Sequence, residues 1–185
     1  MTAKTAPRPQ SLNVIIYTIG HSTRSIEDFI ALLRAHAVTQ LADVRTVPKS
    51  RRHPHFAREA LLRSLPAAGI DYRHVAALGG LRKPRSDSGN TAWRHEGFRG
   101  YADYMETPGF DTALDDLVEW AATGATAVMC AEAVWWQCHR RLIADALVAR
   151  QVDVRHIMSA TSAPPHELTE FARVAAGRVT YPGLI

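Results

Sequence analysis

The sequence predicts an α/β fold: one open, Rossmann-like domain whose mainly parallel sheet of four or five strands is flanked by helices. Three observations predict it. Short apolar runs of strand length alternate along the chain with segments of helical periodicity. The first strand, helix and strand fit within about 30 residues, the size of a βαβ unit, and such crossovers build parallel sheets. Length agrees, because 185 residues at 46% hydrophobic suffice for one core.

The elements follow in order. Val14 to Ile19 (VIIYTI) ends at Gly20 and reads as a buried strand. Ser25 precedes an amphipathic helix in which Ile26, Phe29, Ile30, Leu33 and Ala37 recur on one face, with Asp28 in an acidic first turn. Leu41 to Val44 is the next strand. Arg58 to Leu65 is helix-like and Ile70 to Val75 strand-like. LGGLRKPRSDSGN, from Leu78, is a long exposed loop of the kind that often carries function. Periodicity resumes over Phe98 to Met105. Pro108 then opens a helix to about Thr123 that Gly124 closes. Thr126 to Cys130 is a central strand, Cys138 to Arg150 a helix with Leu142, Ile143, Ala146 and Leu147 inward, and Val152 to Met158 the last strand. Pro164 and Pro165 precede a terminal helix, His166 to Ala176. The division is a frayed tail over 1–12, the α/β domain over 13–160, and a helical extension over 161–185 packed on that domain.

Composition excludes several classes. No run approaches the roughly 18 apolar residues of a membrane span, so no membrane partner is expected. Met1 to Gln10 lacks the apolar core of a secretory signal. Two cysteines do not make a disulfide scaffold, and their neighbours Trp, His and Arg suit a reducing, cytoplasmic setting. The net charge is only +4, but the bases are nineteen Arg against three Lys. Guanidinium groups bind phosphate and carboxylate with two parallel bonds. Between Val44 and Arg58 lie five basic residues, two histidines and no acid.

Ligands of open parallel sheets sit beyond the carboxyl ends of the strands. There the first strand delivers His21 and Ser22, the second Asp43, Arg45 and Lys49, and the central strand Cys130 and Glu132. A short link then leads to Trp135, Cys138, His139 and Arg140, and the last strand ends near His156. Cys138 opens a helix, where free N–H groups favour a thiolate or a bound anion. The candidate catalytic residues are therefore Cys138, Glu132, His21 and His139. Arg45, Arg140, Ser22 and Lys49 are the candidate anion binders, with Asp43, Cys130 and Trp135 in support. Structural readings stand beside these: Cys138 as an inert thiol, Cys130 as a small hydrophobe, Glu132 as an ion-pair partner of Arg45, Arg140 or Arg141, and the tryptophans as packing.

Spacing removes other chemistries. Six positions after the cysteines stand Trp136 and Ala144, not the arginine of a phosphatase loop. No Gly-x-Gly-x-x-Gly and no Walker lysine is present, and no Gly-x-Ser-x-Gly surrounds Ser22. The gap from Cys130 to Cys138 is too long for a Cys-x-x-Cys pair. Zinc through Cys130, Cys138, His139 and His21 is open in principle, but without short-spaced ligand pairs neither a metal nor a cofactor is assigned.

The series TIGHS (Thr18–Ser22), DVRTVPKS (Asp43–Ser50), LGG (Leu78–Gly80), FRGYADYM (Phe98–Met105), MCAE (Met129–Glu132) and CHRRLIADAL (Cys138–Leu147) resembles the domain of unknown function 488 family. The likeness runs from about Tyr17 to His156, with AVWWQ as a variable link between the cysteines. It implies a small α/β domain of bacterial or archaeal cytoplasm and no particular reaction. It also implies that His21, Asp43, Arg45, Cys130, Glu132, Cys138, His139 and Arg140 belong to signature motifs. Two functions are expected in turn. The first is an enzyme on a phosphorylated or carboxylated small molecule or nucleotide, by thiol- or acid/base-dependent transfer or hydrolysis. The alternative is a nucleic-acid-binding module using residues 48–58 and loop 81–99, with Trp93 or Trp135–Trp136 stacking bases.

Overall fold

The computed structural model describes residues 14–183; the predicted tail over 1–12 lies outside them. The strands are β1 (Ile15–Gly20), β2 (Gln40–Asp43), β3 (Asp71–His74), β4 (Thr126–Cys130) and β5 (Asp153–His156). They form one all-parallel sheet in the order β3-β2-β4-β1-β5. The helices are α1 (Ile26–Ala35), α2 (Arg58–Ala67), α3 (Glu96–Met105), α4 (Pro108–Ala121) and α5 (Arg140–Ala149). No helix among the described residues is long and apolar enough to cross a membrane.

The side-chain alternation of a strand divides the core into two layers. In β4, buried at all five positions, Ala127 and Met129 join Phe29 and Leu33 of α1 and Leu61 and Leu65 of α2. Val128 and Cys130 face the other way, toward Tyr101 of α3, Leu114 of α4 and Ile143 of α5. The caps hold where they were expected. Ser25 Oγ accepts from the Asp28 amide at 3.0 Å, and Thr107 caps α4 beside Pro108. Gly124 is not a left-handed cap, because α4 ends at Ala121 and its glycine gives passage to Gln40: a Cβ there would meet the Gln40 amide at 3.1 Å.

Two expectations are corrected. Cys138 does not begin a helix: its backbone is extended (φ −127°, ψ 151°), it closes a short 3-10 turn over Trp135–Gln137, and His139 caps α5. No helix forms over His166–Ala176 either. That segment is extended and then makes the antiparallel hairpin β6 (Arg173–Ala175) and β7 (Arg178–Thr180). The cause is tertiary. Buried Asp145 on α5 accepts from the His166 ring at 2.8 Å, the Thr169 amide at 2.9 Å and the Tyr181 hydroxyl at 2.7 Å. Those three bonds hold the segment stretched across the domain. Ala176 and Gly177, with φ of 51° and 75°, make the tight turn.

Candidate active site

β1, β2 and β4 end level, with Gly20 paired to Cys130 and Asp43 to Met129. The ladder continues past the strands: the His21 amide donates to Cys130 O at 3.0 Å, Ser22 to Ala131 O at 2.9 Å and Val44 to Met129 O at 3.0 Å. The loop after β4 also crosses directly over Gly20, where a Cβ would lie 1.9 Å from Glu132 O. Only glycine permits that crossing. The loop thereby returns the chain to the sheet edge and sets Cys138 beside Cys130.

The donor atoms of Cys130, Cys138 and His139 lie within 4.8 Å of one another. His139 Nε2 is 3.1 Å from Val44 O. A carbonyl only accepts, so Nε2 carries the hydrogen, and Nδ1 faces Cys138 Sγ at 3.6 Å. The Cys130 thiol's hydrogen bond, opposed by burial but aided by His139 and Arg140, pulls Cys138 well below the ordinary thiol range. The same shared proton, together with burial, pushes Cys130 above it.

Beside the thiols stands a second built group. Buried Asp43 accepts from Arg45 Nε at 2.8 Å, Arg45 NH2 at 2.5 Å, the Arg45 amide at 3.1 Å and Tyr72 OH at 2.8 Å. Arg45 NH1 points on to His21 Nε2 at 3.4 Å. The His21 ring stacks on Phe56 at 4.2 Å and bonds through Nδ1 to Ser22 O. Burial first, and then the Arg45 charge, lower its pKa to about 4. His21 is therefore neutral at pH 7, and its free lone pair faces Arg45. Its Nε2 is the ring atom that faces the Arg45 guanidinium.

These groups form the floor of a cavity of about 1150 Å³. Arg45, Lys49, Arg51 and Arg52 line it, with Glu132 the sole carboxylate among the described residues. Among the described residues, Lys49, Arg51, Arg52 and Glu132 make no ion pair. A family model described as Domain of unknown function DUF488 matches residues 25–147. The chain belongs to that family. No curated protein and no solved structure matches it.

In this DUF488 domain the fold gathers His21, Ser22, Arg45, Lys49, Cys130, Glu132, Cys138 and His139 at the cavity, with Asp43 directly behind Arg45. Two predicted members, and His156 at the end of the last strand, lie elsewhere. Arg140 is fully buried, donates to the main-chain oxygen of Glu132 and leaves its Nε without a partner. Its position on the inner face of α5 turns it toward the thiols and away from the cavity. The Glu132 carboxylate consequently pairs with none of Arg45, Arg140 or Arg141 and stays exposed on the wall. Trp135 stacks on His156 at 4.0 Å, on the far side of the loop, while Trp136 meets the cavity. His156 is likewise buried, bonded to Thr18 and His166. Trp93 packs against Phe98, Phe171 and Tyr181 and offers no face to a base.

Sequence reasoning assigned Arg51 and Arg52 to a separate basic patch and did not single out His53 or His95, which also line the cavity. The acid-free run from Val44 to Arg58 was the available signal for the first three.

Proposed function

We propose that this DUF488 domain is an enzyme acting on an anionic small molecule, phosphorylated or carboxylated, a nucleotide included. The observation that carries the reading is the Cys138–His139 pair on the floor of a cavity walled by Arg45, Lys49, Arg51 and Arg52. The cationic side chains hold the anion, each charge-assisted contact contributing roughly 1.5–3 kcal/mol. Cys138 is the nucleophile of a thiol-dependent transfer or hydrolysis, with the Cys130 thiol as its hydrogen-bonding neighbour. Proton movement falls to His139, through Nδ1, and to Glu132 on the wall.

The test compares two alkylating agents of similar size, iodoacetate with a negative charge and iodoacetamide without one, with peptide mass spectrometry to locate the adduct. Cys138 should react in the folded protein. Charge steering should favour iodoacetate by about tenfold over its ratio for a free thiol. Arg51→Ala with Arg52→Ala should return the ratio to that of a free thiol. A Cys138 that stays unmodified in the folded chain, or shows no preference for the anion, ends the reading.

A second reading rests on the exposed Lys49, Arg51 and Arg52, with Trp136 at 44% exposure on the same cavity. These residues would grip nucleic-acid phosphates, and Trp136 would stack a base. Affinity for single-stranded DNA should then fall steeply with added salt; a flat response removes it.

A further inference from the structure

The three donors under the cavity have a geometry that the proposed reaction does not require. A tetrahedral zinc site with a Zn–S bond near 2.3 Å and a Zn–N bond near 2.0–2.1 Å has donor-to-donor edges of roughly 3.5–3.8 Å. Cys138 Sγ and His139 Nδ1 are 3.6 Å apart, and Cys130 Sγ lies within 4.8 Å of both. The imidazole is already arranged as a ligand. Its Nε2–H is committed to the Val44 carbonyl, the outer bond that typically fixes the tautomer and aims a metal-binding histidine. The ring also packs on Tyr101 at 5.1 Å, which restricts its rotation.

We propose that Cys130, Cys138 and His139 form a three-ligand site for a thiophilic divalent cation of the zinc class, with a fourth position open to the cavity. Two thiolates and an imidazole select zinc over magnesium or calcium, which take oxygen ligands. Three protein ligands and one open position is the arrangement of reactive rather than purely structural zinc sites. All three ligands line the cavity, so water or a bound anion completes the shell. Binding forms two metal–sulfur bonds and one metal–nitrogen bond. Whatever protons the sulfurs still hold pass to solvent, and no electron moves. Buried Arg140, next in the chain to His139, makes no ion pair among the described residues. The inference rests on the site of the proposed enzyme and not on its reaction. A metal here ties up the Cys138 lone pair, so metal and electrophile compete for one sulfur.

The experiment titrates the reduced, metal-free full chain with cobalt(II) and reads absorbance. The expected result is a sulfur-to-cobalt charge-transfer band in the near ultraviolet with the intense visible bands of a tetrahedral centre. Zinc should bleach both. Cys130→Ser and Cys138→Ser should each lose the tetrahedral spectrum, and His139→Ala should weaken binding while keeping the sulfur band. Should a serine variant misfold, zinc protection of both thiols from iodoacetamide in the unaltered protein gives the same information. No charge-transfer band, or a band that survives Cys130→Ser, overturns the site and assigns the 3.6 Å contact to an S–H···N hydrogen bond. The two proposals separate cleanly. Alkylation of Cys138 without cobalt binding leaves the enzyme reading and ends this one. Cobalt binding by a metal-free protein whose Cys138 does not alkylate does the reverse.

Discussion

Asp43→Ala is the perturbation whose consequence can be worked out most fully. The carboxylate is completely buried and receives four donors: the amide, Nε and NH2 of Arg45 and the Tyr72 hydroxyl. Arg45 is itself only 7% exposed. Removing the acid leaves a guanidinium under the sheet edge with Phe56 O as its remaining acceptor besides the His21 ring. Breaking a buried pair from one side costs about 3–5 kcal/mol, because the remaining charge is uncompensated. Against a typical total of about 5–15 kcal/mol this is a large share. At about 2–4 °C per kcal/mol for a chain of this size, Tm should fall by about 6–20 °C. Urea unfolding at pH 7 followed by tryptophan fluorescence measures the free energy, and calorimetry the Tm. The double variant Asp43→Ala with Arg45→Met removes the stranded charge and should recover much of the loss. It should leave the preference of Cys138 for iodoacetate in place, because that preference rests on the exposed Lys49, Arg51 and Arg52. A single-variant loss under about 1 kcal/mol, or a double variant no more stable than the single, would refute the reasoning.

Acid should destabilise the domain through His21 and His156, whose folded pKa values are lowered to about 4 and about 3, in each case by burial first. The unfolded chain binds protons below 6.5 while the folded one does not, so stability is complete above that pH and drains away as pH falls toward 4 and 3. Between pH 7 and 5 each histidine should cost about 1–2 kcal/mol; equal urea midpoints at the two pH values would contradict this. Gly20→Ala should push the Glu132 carbonyl out of its crossing and cost about 1–3 kcal/mol, with altered Cys138 alkylation. An unchanged alkylation rate would show that the crossing does not position the thiol. Asp145→Ala strands the His166 ring, the Thr169 amide and the Tyr181 hydroxyl, at about 3 kcal/mol or more. Limited proteolysis should then cut within 164–181 first, and protection equal to the unaltered protein would argue against the anchor.

How far the sequence could be read depended on the range of the forces involved. β4 and α4 were legible because burial imposes a period: TAVMC is enclosed on both faces, and Phe110, Leu114 and Leu117 repeat at helical spacing on one side. Ser25 and Pro108 marked helix starts by local hydrogen bonding alone. The strand-end rule gathered His21, Arg45, Cys130, Glu132, Cys138 and His139 without coordinates. Two of the three features missed are non-local. Helical propensity in HELTEFARVAA lost to Asp145, an acid some twenty residues earlier whose acceptor role no window around His166 reveals. Cys138, extended, ends the turn over Trp135–Gln137, so α5 begins two residues later at Arg140; that is a local turn which apolar periodicity does not mark. The meeting of Cys130 with Cys138 depends on the glycine-licensed crossing at Gly20, over a hundred residues from either thiol.

The placement of charge around the cavity separates attraction from chemistry. The buried cations are turned away from solvent: Arg45 is paired with Asp43, and Arg140, 1% exposed, donates to the Glu132 carbonyl. Neither has much field left to draw an anion from solution. The unpaired cations are the exposed ones, Lys49, Arg51 and Arg52, all on the single segment between β2 and α2. Their pull is screened by salt over about 10 Å at ordinary ionic strength, whereas the Asp43–Arg45 and Cys130–Cys138 pairs, being buried, are screened far less. Salt should therefore act on ligand capture and leave the state of the thiols unchanged. The basic run that resembled a nucleic-acid patch in the sequence and the cysteine pair thus line one cavity, because β2 and β4 are neighbours in the sheet.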